Sequence, residues 1–154
     1  MTLRPAAAED EAFLLALYAS TRAEEVAAWG FDESQARSFL MFQFTAQRRH
    51  YEAEFPAASD HIIRLGDHDI GRIMVSRSPE EIRLVDIALL PEHRGAGIGA
   101  ALVSGLVDEA RERSLPLRLH VHTTSPARRL YERLGFSVVD DTGVHLLMER
   151  RPGS

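Results

Sequence analysis

The sequence predicts an α+β fold. Segments with apolar residues at helical spacing and segments with alternating apolar residues follow one another as β-α-α-β-β-β-α-β-α-β-β, an order that neither a doubly wound nor an all-β arrangement explains. Leu117–His122 sets Leu117, Leu119 and Val121 against Arg118, His120 and His122, as a strand with one buried face does. Glycines at 95, 97 and 99 separate the strand-like run Ile82–Leu90 from a helical pattern.

In chain order, Leu3–Ala6 reads as a short strand. Asp10–Arg22 then reads as a helix with Phe13, Leu14, Leu17 and Tyr18 on one face and Asp10 as its cap. Gly30 breaks that pattern. Asp32 opens a second helix, with Gln35 in the reciprocal capping position, and the helix runs to Phe55 before Pro56. It mixes Phe39, Phe42, Phe44 and Tyr51 with Gln43, Gln47 and His50: mostly core or solvated face, with some side chains available to line a pocket. His61–Leu65 and Ile70–Ser76 are strands joined by Gly66-Asp67-His68-Asp69. The helix after the glycines puts Ile98, Ala101, Leu102, Gly105 and Leu106 on one face and fades near Ser114 and Pro116. Thr124-Ser125-Pro126 supplies a hydroxyl cap and a first-turn proline to a short helix with the stripe Ala127, Leu130, Tyr131 and Leu134, closed by Gly135. Phe136–Asp140 and Val144–Glu149 form a hairpin across Asp141-Thr142-Gly143.

With 154 residues the chain reads as one domain over 1–150 and a short tail at 151–154. Apolar content of 45% beside 27% charged residues is that of a globular protein, and no apolar run approaches the roughly 18 residues of a membrane span. The N-terminal Met-Thr-Leu-Arg-Pro has no signal or lipidation pattern, so the expected location is the cytoplasm, without membrane partners. Without cysteine there is no disulfide, thiolate metal site or cysteine nucleophile. A net charge of −5 argues against broad nucleic-acid binding, so any anion site must be local. No His-x-x-x-His pair with a carboxylate appears on a helix, and no metal is expected.

The glycine loop is the local anion site. Residues without Cβ bring backbone N–H groups close to an anion, and the following helix adds unpaired N–H groups and the positive end of its dipole. Arg94 adds charge at the rim. A nucleoside-triphosphate loop needs Gly-Lys-Ser/Thr, and this chain has no lysine. The dinucleotide fingerprint needs Gly-x-Gly-x-x-Gly after a first strand, a spacing that Gly95-Ala96-Gly97-Ile98-Gly99-Ala100 lacks.

Arg94-Gly95-Ala96-Gly97-Ile98-Gly99 resembles the Arg/Gln-x-x-Gly-x-Gly/Ala signature of GNAT acetyltransferases, whose loop holds the diphosphate of acetyl-CoA. Ala127-Arg128-Arg129-Leu130-Tyr131-Glu132-Arg133-Leu134-Gly135-Phe136 resembles the family's second signature, Ala-x-x-Leu-Tyr-x-x-x-Gly-Phe. The element order matches that fold, a mixed and mostly antiparallel sheet flanked by helices, over roughly residues 1–150.

The resemblance implies acetyl-CoA as cosubstrate, an amine acceptor and a monomer or homodimer. It puts pantetheine along backbone groups near Ile87, Ala88 and Leu89, and the diphosphate at Arg94, Gly95, Ala96, Gly97, Ile98, Gly99 and Ala100. It adds Ser125, Arg128 and Tyr131 as further cofactor contacts. Tyr131 holds the general-acid position beside the departing sulfur; a buried structural tyrosine is the alternative. Asp86 and His120 are the candidate bases, and each also reads as structural or solvated. Family members commonly carry asparagine six or seven residues before the tyrosine; here Ser125 and Thr124 stand there, each with one hydroxyl in place of an amide's donor and acceptor. The implied function is N-acetyl transfer by direct attack in a ternary complex. The alternatives are a non-catalytic acyl-CoA-binding module and a nucleotide-binding protein of another fold. The acceptor stays open among small polyamine, antibiotic, amino acid and protein N-terminus.

Overall fold

The computed structural model describes residues 1–153. Its strands are β1 (Thr2–Pro5), β2 (Ser59–Leu65), β3 (His68–Arg77), β4 (Ile82–Leu89), β5 (Leu117–His122), β6 (Ser137–Asp141) and β7 (His145–Arg150). Its α-helices are α1 (Glu11–Ala28), α2 (Glu33–Glu54), α3 (Ile98–Arg113) and α4 (Ala127–Arg133). They follow one another in the order read from the sequence, and the sheet runs β1-β2-β3-β4-β5-β7-β6. The β1–β2, β5–β7 and β6–β7 pairs are antiparallel and β4–β5 is parallel. No helix of the described residues is long and apolar enough to cross a membrane.

The chain divides into two compact units. Met1–Ile73 with Asp86–Arg94 makes the first, and Met74–Val85 with the chain from Gly95 onward makes the second.

In the first unit, Leu14, Phe44 and Ile62 form a core against which Ala6, Phe13, Leu15 and Tyr18 pack. Asp10 does not cap α1 through its side chain. It closes a 3-10 turn at Ala8–Asp10, accepting from the Ala7 amide at 2.8 Å and from both terminal nitrogens of Arg4. Asp32 and Gln35 form the expected reciprocal cap of α2. Gly71 lets two strands approach closely: a Cβ there would collide with the Ala88 carbonyl oxygen and lie 2.8 Å from a Leu89 methyl.

In the second unit, α3 buries Val103, Leu106, Val107 and Ala110, and Leu117, Leu119, Leu146 and Met148 are buried on β5 and β7. Helix α4 ends in a Schellman motif. Phe136 N–H donates to the Tyr131 carbonyl and Gly135 N–H to the Glu132 carbonyl, with Gly135 left-handed at φ +97°. The accompanying apolar contact joins the Tyr131 and Phe136 rings, 5.6 Å apart between centroids. The spacing Tyr-x-x-x-Gly-Phe is therefore the spacing of this helix stop. Of the expected stripe, Tyr131 is buried and Ala127, Leu130 and Leu134 are half-buried.

Candidate active site

In the first unit, α1, α2 and two strand segments enclose a cavity of about 240 Å³. Leu14, Leu17 and Tyr18 give it an apolar wall; Thr21, Arg22 and Gln47 line it from the helices, and Arg72, Asp86, Ile87 and Ala88 from the strands. Gln47 thus faces the cavity, whereas Phe44, from the same aromatic and polar helix, lies in the core.

Asp86 is the carboxylate of this cavity. Burial pushes its carboxyl above the ordinary carboxylate value, while Arg72, whose guanidinium lies 3.8 Å away, pulls the other way. Arg72 is itself held in a bidentate pair: its Nε and Nη2 each donate to Asp60 at 2.8 Å, which holds its charge against burial. Tyr51 is kept neutral, its phenol raised first by burial and then by Asp86. The sequence reading missed Arg72, Asp60 and Arg22. Its available signal was Arg72 itself, a charge inside the apolar run Ile70–Val75.

Arg94 extends back along its own unit, donating from Nε to the Leu89 carbonyl at 2.9 Å and from Nη2 to Ser20 Oγ at 3.3 Å. Both partners are neutral, so its positive charge is not cancelled by them. Ile87, Ala88 and Leu89 are half-buried strand residues.

In the second unit, the glycine loop has the geometry an anion needs. Gly95 and Gly97 are left-handed at φ +77° and +83°, a region that costs other residues roughly 1–2 kcal/mol. Helix α3 starts at Gly97 without a side-chain cap and without an acidic residue in its first turn. The amides of Ile98, Gly99 and Ala100 thus begin a helix whose cap and first turn supply no anion to its positive end. A Cβ at Gly99 would meet nothing within 4 Å, so the space beside the loop is open. The residues present fit a diphosphate.

Ser125 and Thr124 are both engaged locally. Ser125 Oγ accepts from the Ala127 amide at 3.2 Å, closing the start of α4, and Thr124 Oγ1 lies 2.8 Å from His122 Nδ1. Arg128 is exposed and paired with Glu132 at 3.1 Å, an i,i+4 pair of a few tenths of a kcal/mol, easily exchanged for a phosphate. Tyr131 is 6% exposed. His120 is exposed on β5 opposite Leu147, with Nδ1 3.1 Å from Nη1 of Arg83. A guanidinium only donates, so the Nδ1 lone pair is occupied and the imidazole proton sits on Nε2.

The model of the Acetyltransferase (GNAT) family matches residues 14–136. The [ribosomal protein bS18]-alanine N-acetyltransferase of Haemophilus influenzae is 39% identical over 62 residues, 40% of this chain. That match spans 42% of the relative's own length. The PaiA N-acetyltransferase of Thermoplasma acidophilum, solved with coenzyme A, superposes with a TM-score of 0.70 at 19% identity, over 97% of this chain and 98% of that one. A GNAT acetyltransferase of Elizabethkingia anophelis with acetyl-CoA bound gives a TM-score of 0.56 at 15% identity, over 66% of this chain and 82% of its own. Likeness at these identities is one of fold.

Proposed function

Because the chain belongs to the GNAT acetyltransferase family, which uses acetyl-CoA as cosubstrate, we propose that it transfers the acetyl group of acetyl-CoA to a primary amine by direct attack in a ternary complex. The carrying observation is Asp86: one half-buried carboxylate, its proton affinity raised, on the lining of a cavity sized for a small acceptor.

Acetyl-CoA supplies the acetyl thioester. The Gly95–Ala100 amides and Arg94 hold the diphosphate, the backbone of Ile87, Ala88 and Leu89 aligns the pantetheine, and Ser125 and Arg128 add peripheral contacts. An alkylamine of pKa about 10.4 is almost wholly protonated at neutral pH, so a proton acceptor must free its lone pair. Asp86 takes that proton as the nitrogen bonds to the acetyl carbon. As the carbon–sulfur bond breaks, the Tyr131 hydroxyl donates to the sulfur. A phenol of pKa about 10 facing a thiol of about 8.5 favours a hydrogen bond that strengthens with charge over complete proton transfer. His120 serves less well as base, because Arg83 occupies its lone pair.

The test is Asp86→Asn, which keeps shape and removes basicity. Turnover is expected to fall by about 10²-fold or more, with acetyl-CoA binding little changed. In the parent, activity should fall as pH drops through the folded-state pKa of Asp86, which lies above the ordinary carboxylate value. An Asp86→Asn variant with parental turnover removes Asp86 as base.

A further inference from the structure

Resting on the transferase reading above, we infer that the acceptor is a small zwitterion, an apolar free amino acid, whose ammonium meets Asp86 and whose carboxylate meets Arg22. Both side chains line the cavity, Arg22 from α1 and Asp86 from β4, together with Leu14, Leu17 and Tyr18. Its two guanidinium groups differ in commitment. Arg72 spends its donors on Asp60 and leans on Asp86. Among the described residues Arg22 has one carboxylate partner, Glu25, at 3.4 Å, and that pair is exposed and therefore weak.

Arg22 is also under-bonded. Its Nε is shut off from solvent and has no hydrogen-bond partner among the described residues, and the guanidinium carbon stands 5.3 Å from the centre of the Tyr18 ring. A half-paired guanidinium on a cavity wall, its Nε shut off from solvent and unbonded, calls for an acidic group on the ligand, since Arg pairs best with carboxylate. Asp86 on the same cavity calls for a cation. Both line one cavity of about 240 Å³, a space within which a single small ligand can meet both.

Size and charge narrow the class. A cavity of 240 Å³ lies below the roughly 300–1,000 Å³ of drug-sized sites, which disfavours an aminoglycoside-sized acceptor. A polyamine needs several carboxylates along its length, and the cavity lining holds one. A peptide N-terminus carries an amide where a free amino acid carries its acid, and leaves Arg22 unanswered.

The experiment measures calorimetric binding of standard apolar amino acids, their amides and the corresponding descarboxy amines to the full chain saturated with CoA. At least one amino acid should bind tenfold or more tightly than its amide, the range expected for a charge-assisted contact. Arg22→Gln should bring acid and amide to within about threefold, and Arg22→Lys should keep most of the preference. Thermal melting of both variants confirms folding. Amides or amines that bind as well as the acids, no binding across the panel, or a preference that survives Arg22→Gln would each overturn the inference. Free thiol release is scored in parallel with acetyl-CoA. A panel that shows acid-selective binding through Arg22 without thiol release would overturn the transferase reading and leave the zwitterion as a ligand of the cavity rather than an acceptor.

Discussion

Tyr131 sits at the third residue from the end of α4, where the Schellman geometry brings its ring onto Phe136. Tyr131→Phe keeps that ring contact and removes one hydroxyl, so folding should survive. If the hydroxyl supports the departing sulfur, the catalytic constant should fall about 10²-fold while acetyl-CoA binding changes little. A purely structural hydroxyl would instead show as a loss of about 1 kcal/mol in stability with turnover intact. Asp10 offers a residue-scale prediction of another kind. Arg4 and then the Ala7 amide hold its carboxyl down to about 2. A carboxyl depressed by folding contributes stability that is present above its unfolded value, about 3.9, and lost as pH falls through the folded one. Stability of the parent should therefore fall more steeply than that of Asp10→Asn between about pH 4 and about pH 2, and parallel curves would contradict the pairing.

At the scale of elements, glycines divide into those the backbone requires and those it does not. Gly135 closes α4 at φ +97°, and a Cβ there would meet Arg150 Nε at 3.0 Å, the atom that donates to the Leu134 carbonyl. Gly135→Ala should cost about 1–2 kcal/mol, a melting decrease of several degrees. Gly105 lies exposed within α3 with nothing within 4 Å of an added Cβ, and Gly105→Ala should stabilise by about 0.5–1 kcal/mol.

Local patterns explain what the sequence could reveal about these elements. Leu117–His122 alternates so regularly that both its ends were legible, and Asp32 with Gln35 announced α2. Helix α1 runs past Arg22 to Ala28 because Ala23-Glu24-Glu25-Val26-Ala27-Ala28 consists largely of strong helix formers on an exposed surface, where propensity acts without an apolar period to mark it. The charge cluster was less legible. Arg72, Asp60, Asp86 and Arg22 come from four separated segments, and only folding brings them to one cavity or to each other. Asp86 and His120 both read as candidate bases in the sequence, and the contact of His120 Nδ1 with Arg83, made from a neighbouring strand, was not legible there.

For the molecule as a whole, the family assignment and the uncapped glycine loop lead to one physical expectation: acetyl-CoA at 100 times its dissociation constant should add about 2.7 kcal/mol of stability. Gly97→Glu, which puts a carboxylate at the start of α3 and strains a φ of +83°, should erase that ligand-induced shift. The most direct measurement of the central claim is free thiol released from acetyl-CoA by the full chain, followed with and without amine. Direct attack predicts steady release that depends on the amine, with no burst when the amine is omitted. Binding of acetyl-CoA without release for any amine class would make the protein a binding module, and a stoichiometric burst without amine would contradict the ternary complex.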